Sequence, residues 1–113
     1  MDNCIFCKII AGDIPSNKVY EDEDMLAFRD INPQAKVHVL VVPKSHFATL
    51  AEMDEVQAEL VKKCLQKIPH IAQLLGLEKG YRLIVNQGED AGQTVHHLHI
   101  HILGGQSMGE KML

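Results

Sequence analysis

The chain has 113 residues, a formal net charge of −4 and seven histidines, and this length predicts a single domain. The acidic balance argues against a general nucleic-acid binder, which would carry a basic surface, and no apolar run approaches the roughly 20 residues that cross a bilayer. The N-terminus lacks the basic start and apolar stretch of a signal peptide, so we expect a cytoplasmic protein.

The first part of the chain predicts one short helix and three strands. Apolar residues at helical spacing within residues 4–11 predict a helix that ends at Gly12. Segments 18–21 and 25–29 predict a hairpin around an acidic turn, and residues 32–34 predict a further turn. The β-branched run 37–42 predicts a buried strand that ends at Pro43.

The longest periodic segment predicts a helix that begins at Thr49 or Asp54, because both positions fit a capping box. Pro69 is expected to kink or split this helix, and Gly76 suits its C-terminal end. One helical face would contain Met53, Val56, Leu60, Cys64, Ile68, Ile71 and Leu75.

Segments 80–86 and 97–103 predict the last two strands, joined by the loop 87–93. Most connections are too short for crossovers, so most strand pairs should be antiparallel. The order of elements therefore predicts an α+β domain with its helices on one face of the sheet. An open edge strand would favour a dimer.

Histidines alternate with apolar residues in the last predicted strand, His97-Leu98-His99-Ile100-His101-Ile102-Leu103. This alternation predicts a half-buried strand with three imidazoles in a row on the face away from the core. His96 would fall on the core-facing parity unless a bulge intervenes. A plain polar face, a structural metal site and a pH-sensing cluster are alternatives. Catalysis is favoured, because a neutral imidazole attacks phosphorus when its other nitrogen has an acceptor, such as a backbone carbonyl.

Five separated segments resemble the histidine triad (HIT) superfamily, in particular its Hint branch of purine nucleoside phosphoramidate hydrolases. They are residues 28–35, 38–46, 86, 92–95 and 97–105. The resemblance implies a single HIT domain over residues 1–113 with a short flexible tail at about 106–113. It also implies a HIT-like α+β fold: a five-stranded antiparallel sheet, one short N-terminal helix and one long helix. Two copies would form a homodimer with a continuous ten-stranded sheet.

The resemblance also implies roles for individual residues. His99 would attack the α-phosphorus of a purine nucleoside 5′-phosphoramidate and form a nucleotidyl-histidine intermediate. His101 would contact the phosphate and the leaving group, while His97 and His38 would complete the imidazole network. The implied nucleotide-binding residues are Asp30 for the ribose, Ile5, Phe6, Ile9, Phe28 and Ile31 for the base, and Asn86, Gly92, Gln93 and Thr94 for the phosphate.

The pair Cys4 and Cys7 matches a zinc-binding pair in this branch, which would be completed by His46 and His97. Two thiolates and two imidazoles suit tetrahedral zinc in a structural role, and the chemistry itself would need no cofactor. The alternative is a reduced cysteine pair on an amphipathic turn. Cys64 is expected in the core.

Two other functions stay open from the sequence. One is a dinucleoside polyphosphate hydrolase of the same superfamily, although Gly104-Gly105 directly after the histidine strand favours the phosphoramidate hydrolase. The other is a non-catalytic nucleotide-sensing dimer. His96 replaces an aromatic residue of many relatives, and the tail lacks the tryptophan of animal relatives, so the leaving group is not specified.

Overall fold

The structure is a computed structural model, and it describes residues 3–111. Within this range two helices and five strands follow one another, and two short 3₁₀ turns lie at Leu50–Glu52 and Glu89–Ala91. The elements are α1 (Ile5–Ala11), β1 (Lys18–Glu21), β2 (Met25–Arg29), β3 (Val37–Pro43), α2 (Glu55–Leu74), β4 (Tyr81–Ile84) and β5 (Ile100–Gly104).

The five strands form one sheet in the order β1-β2-β3-β5-β4. All four neighbouring pairs are antiparallel, which confirms the predicted α+β architecture. Strand β5 therefore lies between β3 and the edge strand β4, and His101 is opposite Leu40 of β3 and Ile84 of β4. This interior position gives its side chains neighbours on both sides.

The two helices cover opposite faces of the sheet, so the prediction that they share one face was wrong. On one face, Cys64 and Ile68 of α2 pack on alternate strand residues such as Val39 and Ile100. On the other face, Phe6 and Ile9 of α1 pack on Leu26, Phe28, Leu40 and Val42. Alternation along a strand sends successive side chains to opposite faces, and here both faces are buried.

Local chemistry sets the ends of α2. Asp54 caps the helix, since its side chain accepts from the Gln57 backbone N–H and the Gln57 side chain accepts from the Asp54 N–H. This confirms Asp54 over Thr49, which makes no side-chain cap. The helix runs through Pro69 without interruption, so the expected split does not occur. Gly76 follows the last turn with φ of 73°, a conformation that favours glycine.

The predicted apolar face of α2 is buried only in its second half. Cys64, Ile68 and Ile71 are buried, whereas Val56 is 73% exposed. Met53 and Leu60 are partly exposed. The apolar face of the first two turns is therefore only partly covered by the described residues.

The last strand is shorter than predicted. It begins at Ile100, and residues 97–99 lead into it without strand pairing. Residue 96 is exposed and precedes the strand, so His96 does not take the core-facing position that unbroken strand alternation would give it. Strand β4 likewise covers Tyr81–Ile84 instead of 80–86. Neither helix within residues 3–111 combines the length and apolar character needed to span a bilayer.

Candidate active site and adjoining metal centre

Histidine 99 is held by the backbone of its own segment. Its Nδ1 lies 2.7 Å from the His97 carbonyl oxygen, so Nδ1–H donates and Nε2 keeps the lone pair of a neutral ring. The His99 side chain is buried and lines a cavity beneath α1. The structure thus provides the backbone acceptor that an imidazole nucleophile requires.

A chain of hydrogen bonds fixes the protons of two further imidazoles. The Gln34 backbone N–H donates to His38 Nδ1 at 3.0 Å. His38 Nε2–H can therefore donate to His101 Nδ1, which lies 2.8 Å away. The remaining proton of neutral His101 is then on Nε2. Within residues 3–111, that buried Nε2 makes no protein hydrogen bond.

Burial keeps these imidazoles neutral. It lowers the pKa of His99 below its usual range. For His101, burial is the largest cause and the neighbouring His99 and His38 add to it, lowering the pKa to about 4. The pKa of His38 is also lowered by burial, which the nearby Asp30 carboxylate partly opposes. A neutral ring retains the lone pair that nucleophilic attack needs.

The cavity of about 300 Å³ brings together most of the residues predicted for the nucleotide. Asp30 and Thr94 line the cavity together with His99 and His101. The Phe6 ring packs edge-on against the His99 ring, with the ring centroids 5.0 Å apart. Ile31 is fully exposed at its margin. The other predicted lining residues that are present are Ile5, Ile9 and Phe28.

Asp30 has local partners as well as a position at the cavity. Its Oδ1 accepts from the Asn32 backbone N–H at 2.8 Å, the turn bond typical of aspartate. Its Oδ2 lies 3.5 Å from His38 Nε2. One carboxylate oxygen therefore holds the turn, while the other faces the histidine network.

The loop predicted to hold phosphate is organised by Gln93. The Gln93 side-chain oxygen accepts from the Gly88 N–H at 2.9 Å, and its amide donates to the Ala48 carbonyl at 2.7 Å. Its own backbone N–H donates to the Gly88 carbonyl. Gln93 thus fixes the loop from inside, and neither it nor Asn86 or Gly92 is part of the cavity wall, unlike Thr94.

A second cluster lies next to the imidazole row. Cys4 and Cys7 stand one turn apart at the start of α1, where Cys4 Sγ accepts from the Cys7 N–H. Cys7 Sγ is 3.4 Å from His46 Nδ1 and 3.5 Å from His97 Nδ1. One ligand atom from each of the four residues lies within 4.8 Å of the others.

This donor set suits zinc. Ligand bonds of about 2.0–2.3 Å in a tetrahedron place the donor atoms roughly 3.3–3.8 Å apart, and the sulfur–nitrogen separations of 3.4 and 3.5 Å agree. His97 Nε2 lies 2.9 Å from the Pro43 carbonyl, so Nε2–H donates there and the Nδ1 lone pair faces the sulfurs. A backbone acceptor behind a ligating imidazole is the usual supporting contact of a metal site.

Comparison with known proteins agrees with this architecture. Residues 11–108 match the model of the HIT domain. The chain belongs to the HIT family. A HIT family hydrolase from Clostridium thermocellum shares 51% identity with a TM-score of 0.95, covering 100% of this chain and 99% of that one.

Two further relatives carry names that bear on the two clusters. A 14 kDa zinc-binding protein from Zea mays is 47% identical, covering 92% of this chain and 83% of its own. A histidine triad nucleotide-binding protein from Candida albicans is 33% identical with a TM-score of 0.82, and the match covers 98% of this chain and 85% of that one.

Sequence reasoning missed several groups at the site. The Gln34 N–H and the Pro43 carbonyl set the protonation of two histidines, but backbone groups leave no signal in residue identity. Ser16 lines the cavity from the loop between α1 and β1, where no periodicity applies. Leu40 also lines it, and this position could have been found because it shares the strand face of His38.

Proposed function

We propose that this protein hydrolyses purine nucleoside 5′-phosphoramidates through a covalent nucleotidyl-histidine intermediate on His99. The observation that carries the proposal is the hydrogen bond from His99 Nδ1 to the His97 carbonyl, 2.7 Å long. It leaves the Nε2 lone pair on a buried, neutral ring beside a cavity of suitable size. The similarity to a HIT family hydrolase and to a histidine triad nucleotide-binding protein supports it.

The reaction would proceed by two displacements at phosphorus. His99 Nε2 attacks the α-phosphorus while the leaving nitrogen takes a proton relayed from solvent through His101 Nε2–H. The phosphorus–nitrogen bond breaks, a neutral amine departs, and the His99 ring carries positive charge. The His97 carbonyl, which accepts from Nδ1–H, stabilises that charge. Water then attacks the phosphorus and returns a proton to solvent along the same path, the bond to His99 breaks, and a nucleoside 5′-monophosphate is released with a neutral His99.

His101 would assist through its Nε2–H. This atom is buried without a protein partner among the described residues, which is costly unless a ligand completes the bond. A phosphoryl oxygen or the leaving nitrogen is a suitable acceptor. His38 acts behind it, because its Nε2–H holds the His101 Nδ1 lone pair and so keeps the other proton directed outward.

The remaining residues would bind the nucleotide. Asp30 Oδ2 would accept from the ribose hydroxyls, and the apolar side chains Ile5, Phe6, Ile9, Phe28 and Ile31 would enclose the base. Thr94 would contact the phosphate directly. The loop that Gln93 fixes would supply further contacts from Asn86 and Gly92.

Cys4, Cys7, His46 and His97 would hold a structural zinc ion. The ion would attach α1, which carries Phe6 at the cavity, to the segment that precedes His99. Zinc bonds in such sites stabilise the fold itself. No step of the hydrolysis uses the ion.

We also propose that two copies form a homodimer with one continuous sheet. Strand β4 is a sheet edge, and its Leu83 is 40% exposed. The first turns of α2 leave Val56 exposed on an apolar helical face. Sedimentation velocity should give twice the chain mass, and Val56→Glu should shift the species towards the monomer. A wild-type monomer at micromolar concentration would contradict the dimer.

A panel of substrates tests the proposed reaction. Turnover by the wild-type protein is measured with adenosine 5′-phosphoramidate, guanosine 5′-phosphoramidate and a dinucleoside polyphosphate. Binding of AMP is measured separately. The His99→Ala variant is the matched negative control in each of these measurements. We expect fastest turnover of a phosphoramidate. Preference for the polyphosphate would indicate the second hydrolase, whereas AMP binding without turnover of any substrate would indicate a nucleotide sensor.

A further inference from the structure

Two buried side-chain polar atoms within residues 3–111 make no hydrogen bond, and both belong to residues that line the same cavity. One is His101 Nε2 and the other is Ser16 Oγ. Buried hydroxyls nearly always have a partner, so an orphan indicates where another molecule supplies one. His101 is accounted for by the proposed phosphoryl contact, whereas Ser16 has no role yet.

Ser16 is held in place by the loop that carries it. The carbonyl of the next residue, Asn17, accepts from the Arg29 N–H at 3.0 Å. This bond ties the loop to the end of β2, directly after Phe28. The hydroxyl therefore stands on a fixed backbone next to the apolar part of the cavity.

The surroundings indicate which part of a nucleotide meets this hydroxyl. Ile9 and Phe28 offer no polar atoms to the ring nitrogens and exocyclic group of a purine. The phosphoryl end is served by the histidines and the ribose by Asp30. Asn17 and Arg29 also line the cavity, but both residues are exposed, whereas the Ser16 hydroxyl is buried and has no partner. The polar edge of the nucleobase is therefore the part of the nucleotide that suits this hydroxyl.

We infer that the Ser16 hydroxyl hydrogen-bonds the polar edge of the purine base. The inference rests on the proposed function, because it assumes that a nucleotide occupies the cavity. A hydroxyl both donates and accepts, so Ser16 serves adenine and guanine alike and selects for a base with a polar edge. It is a binding residue, remote from the reacting phosphorus.

Binding measurements on Ser16→Ala test the inference. Dissociation constants for AMP, GMP and ribose 5-phosphate are measured for wild type, Ser16→Ala and Ser16→Thr. Loss of one hydrogen bond should weaken AMP and GMP binding by about 3–10-fold. Ribose 5-phosphate, which has no base, should bind equally well to Ser16→Ala and wild type. Ser16→Thr, which keeps the hydroxyl, should recover AMP binding.

Stability provides a second readout. Removing a buried hydroxyl without a partner should leave the melting temperature of the free protein unchanged or raised. The matched control is Ser107→Ala, which removes an exposed hydroxyl outside the cavity and should alter neither property.

Unchanged AMP binding in Ser16→Ala would overturn the inference. So would an equal loss for AMP and ribose 5-phosphate, which would assign the hydroxyl to the sugar or to folding. Wild-type protein that neither binds nor hydrolyses nucleotides would refute the proposed function instead, which is a different result.

Discussion

His97 and His99 lie two residues apart, yet their surroundings prepare them for different chemistry. His97 gives its Nε2 proton to the Pro43 carbonyl and turns Nδ1 towards two thiols. His99 gives its Nδ1 proton to the His97 carbonyl and keeps Nε2 for the cavity. The backbone acceptor available to each ring decides which nitrogen keeps its lone pair. The repeated histidines therefore form two sites, one suited to a metal and one to phosphorus.

Removing the proposed nucleophile should have the largest effect. We expect His99→Ala to lower kcat/KM for adenosine 5′-phosphoramidate by more than roughly 10³-fold, because no other ring in the cavity has its lone pair fixed in this way. The dissociation constant for AMP should change by less than about 10-fold, since ribose and base contacts remain. Steady-state kinetics and calorimetry measure the two quantities. Activity equal to wild type would remove His99 from the mechanism.

Disrupting the cluster of Cys4, Cys7, His46 and His97 should lower the thermal stability of the protein far more than its kcat. The double variant Cys4→Ser with Cys7→Ser should lose bound zinc and melt roughly 10 °C below wild type, while kcat stays within about 10-fold. Metal analysis and thermal unfolding measure this. The control is Cys64→Ala, which removes a core thiol far from the cluster and should keep its zinc. Wild-type protein without stoichiometric metal would refute the zinc site.

Removing the outward-directed proton of His101 should have an intermediate effect. His101→Ala should reduce kcat by about 10²-fold, because a donor aimed at developing charge is lost. His101→Gln places an amide donor near the same position and should recover part of that loss. His96→Ala, an exposed histidine outside both clusters, is the control. Equal rates for wild type and His101→Ala would assign His101 to packing alone.

Weakening the ribose contact should have a smaller effect. Asp30→Asn keeps the oxygen that accepts from the Asn32 N–H but loses the charge, and we expect about a 10-fold lower kcat/KM. Wild type acting on a 2′-deoxy substrate should show a similar loss. The two losses should not add when both changes are combined, because they remove one contact. Additive losses would place the ribose elsewhere.

Acidification should reduce stability modestly. The folded-state pKa of His101 is lowered to about 4 from an ordinary value of 6.5, so the unfolded chain takes up protons first. This contribution to stability is present above pH 6.5 and is lost as pH falls towards 4. Between pH 7 and 5 we expect the free energy of unfolding to fall by roughly 1–2 kcal/mol. Urea unfolding at each pH measures this change, and the same series with a metal chelator separates it from loss of zinc. A loss of the same size in His101→Gln would exclude this cause.

Much of the fold followed from the sequence because its signals are local. The hairpin 18–29 depends on neighbouring residues, and the structure confirmed it. The capping-box pattern offered both Thr49 and Asp54 as the helix start, and the structure has the cap at Asp54. The side of the sheet that α1 covers depends on a long-range choice between two apolar faces, and the prediction was wrong. Val56 shows the same limit, because helical periodicity cannot distinguish a face buried within one chain from one left exposed.

The sequence predicted residues of the candidate site, but not which nitrogen of each imidazole carries the proton. Alternation placed His99 and His101 on one side, and the resemblance supplied Asp30 and the cysteine pair. The donor and acceptor of each ring came from backbone groups of residues 34, 43 and 97. Ser16 lies in an irregular loop, and its unpartnered hydroxyl is visible only in three dimensions.

Trapping the covalent intermediate tests the central claim most directly. Wild-type protein is mixed with an adenosine 5′-phosphoramidate whose amine leaves rapidly, so that formation of the intermediate outpaces its hydrolysis, and the reaction is stopped by rapid denaturation. Peptide mass spectrometry should find one adenosine monophosphoryl group on His99. An adduct on another residue, or full turnover of the substrate with no adduct at any time, would contradict the account.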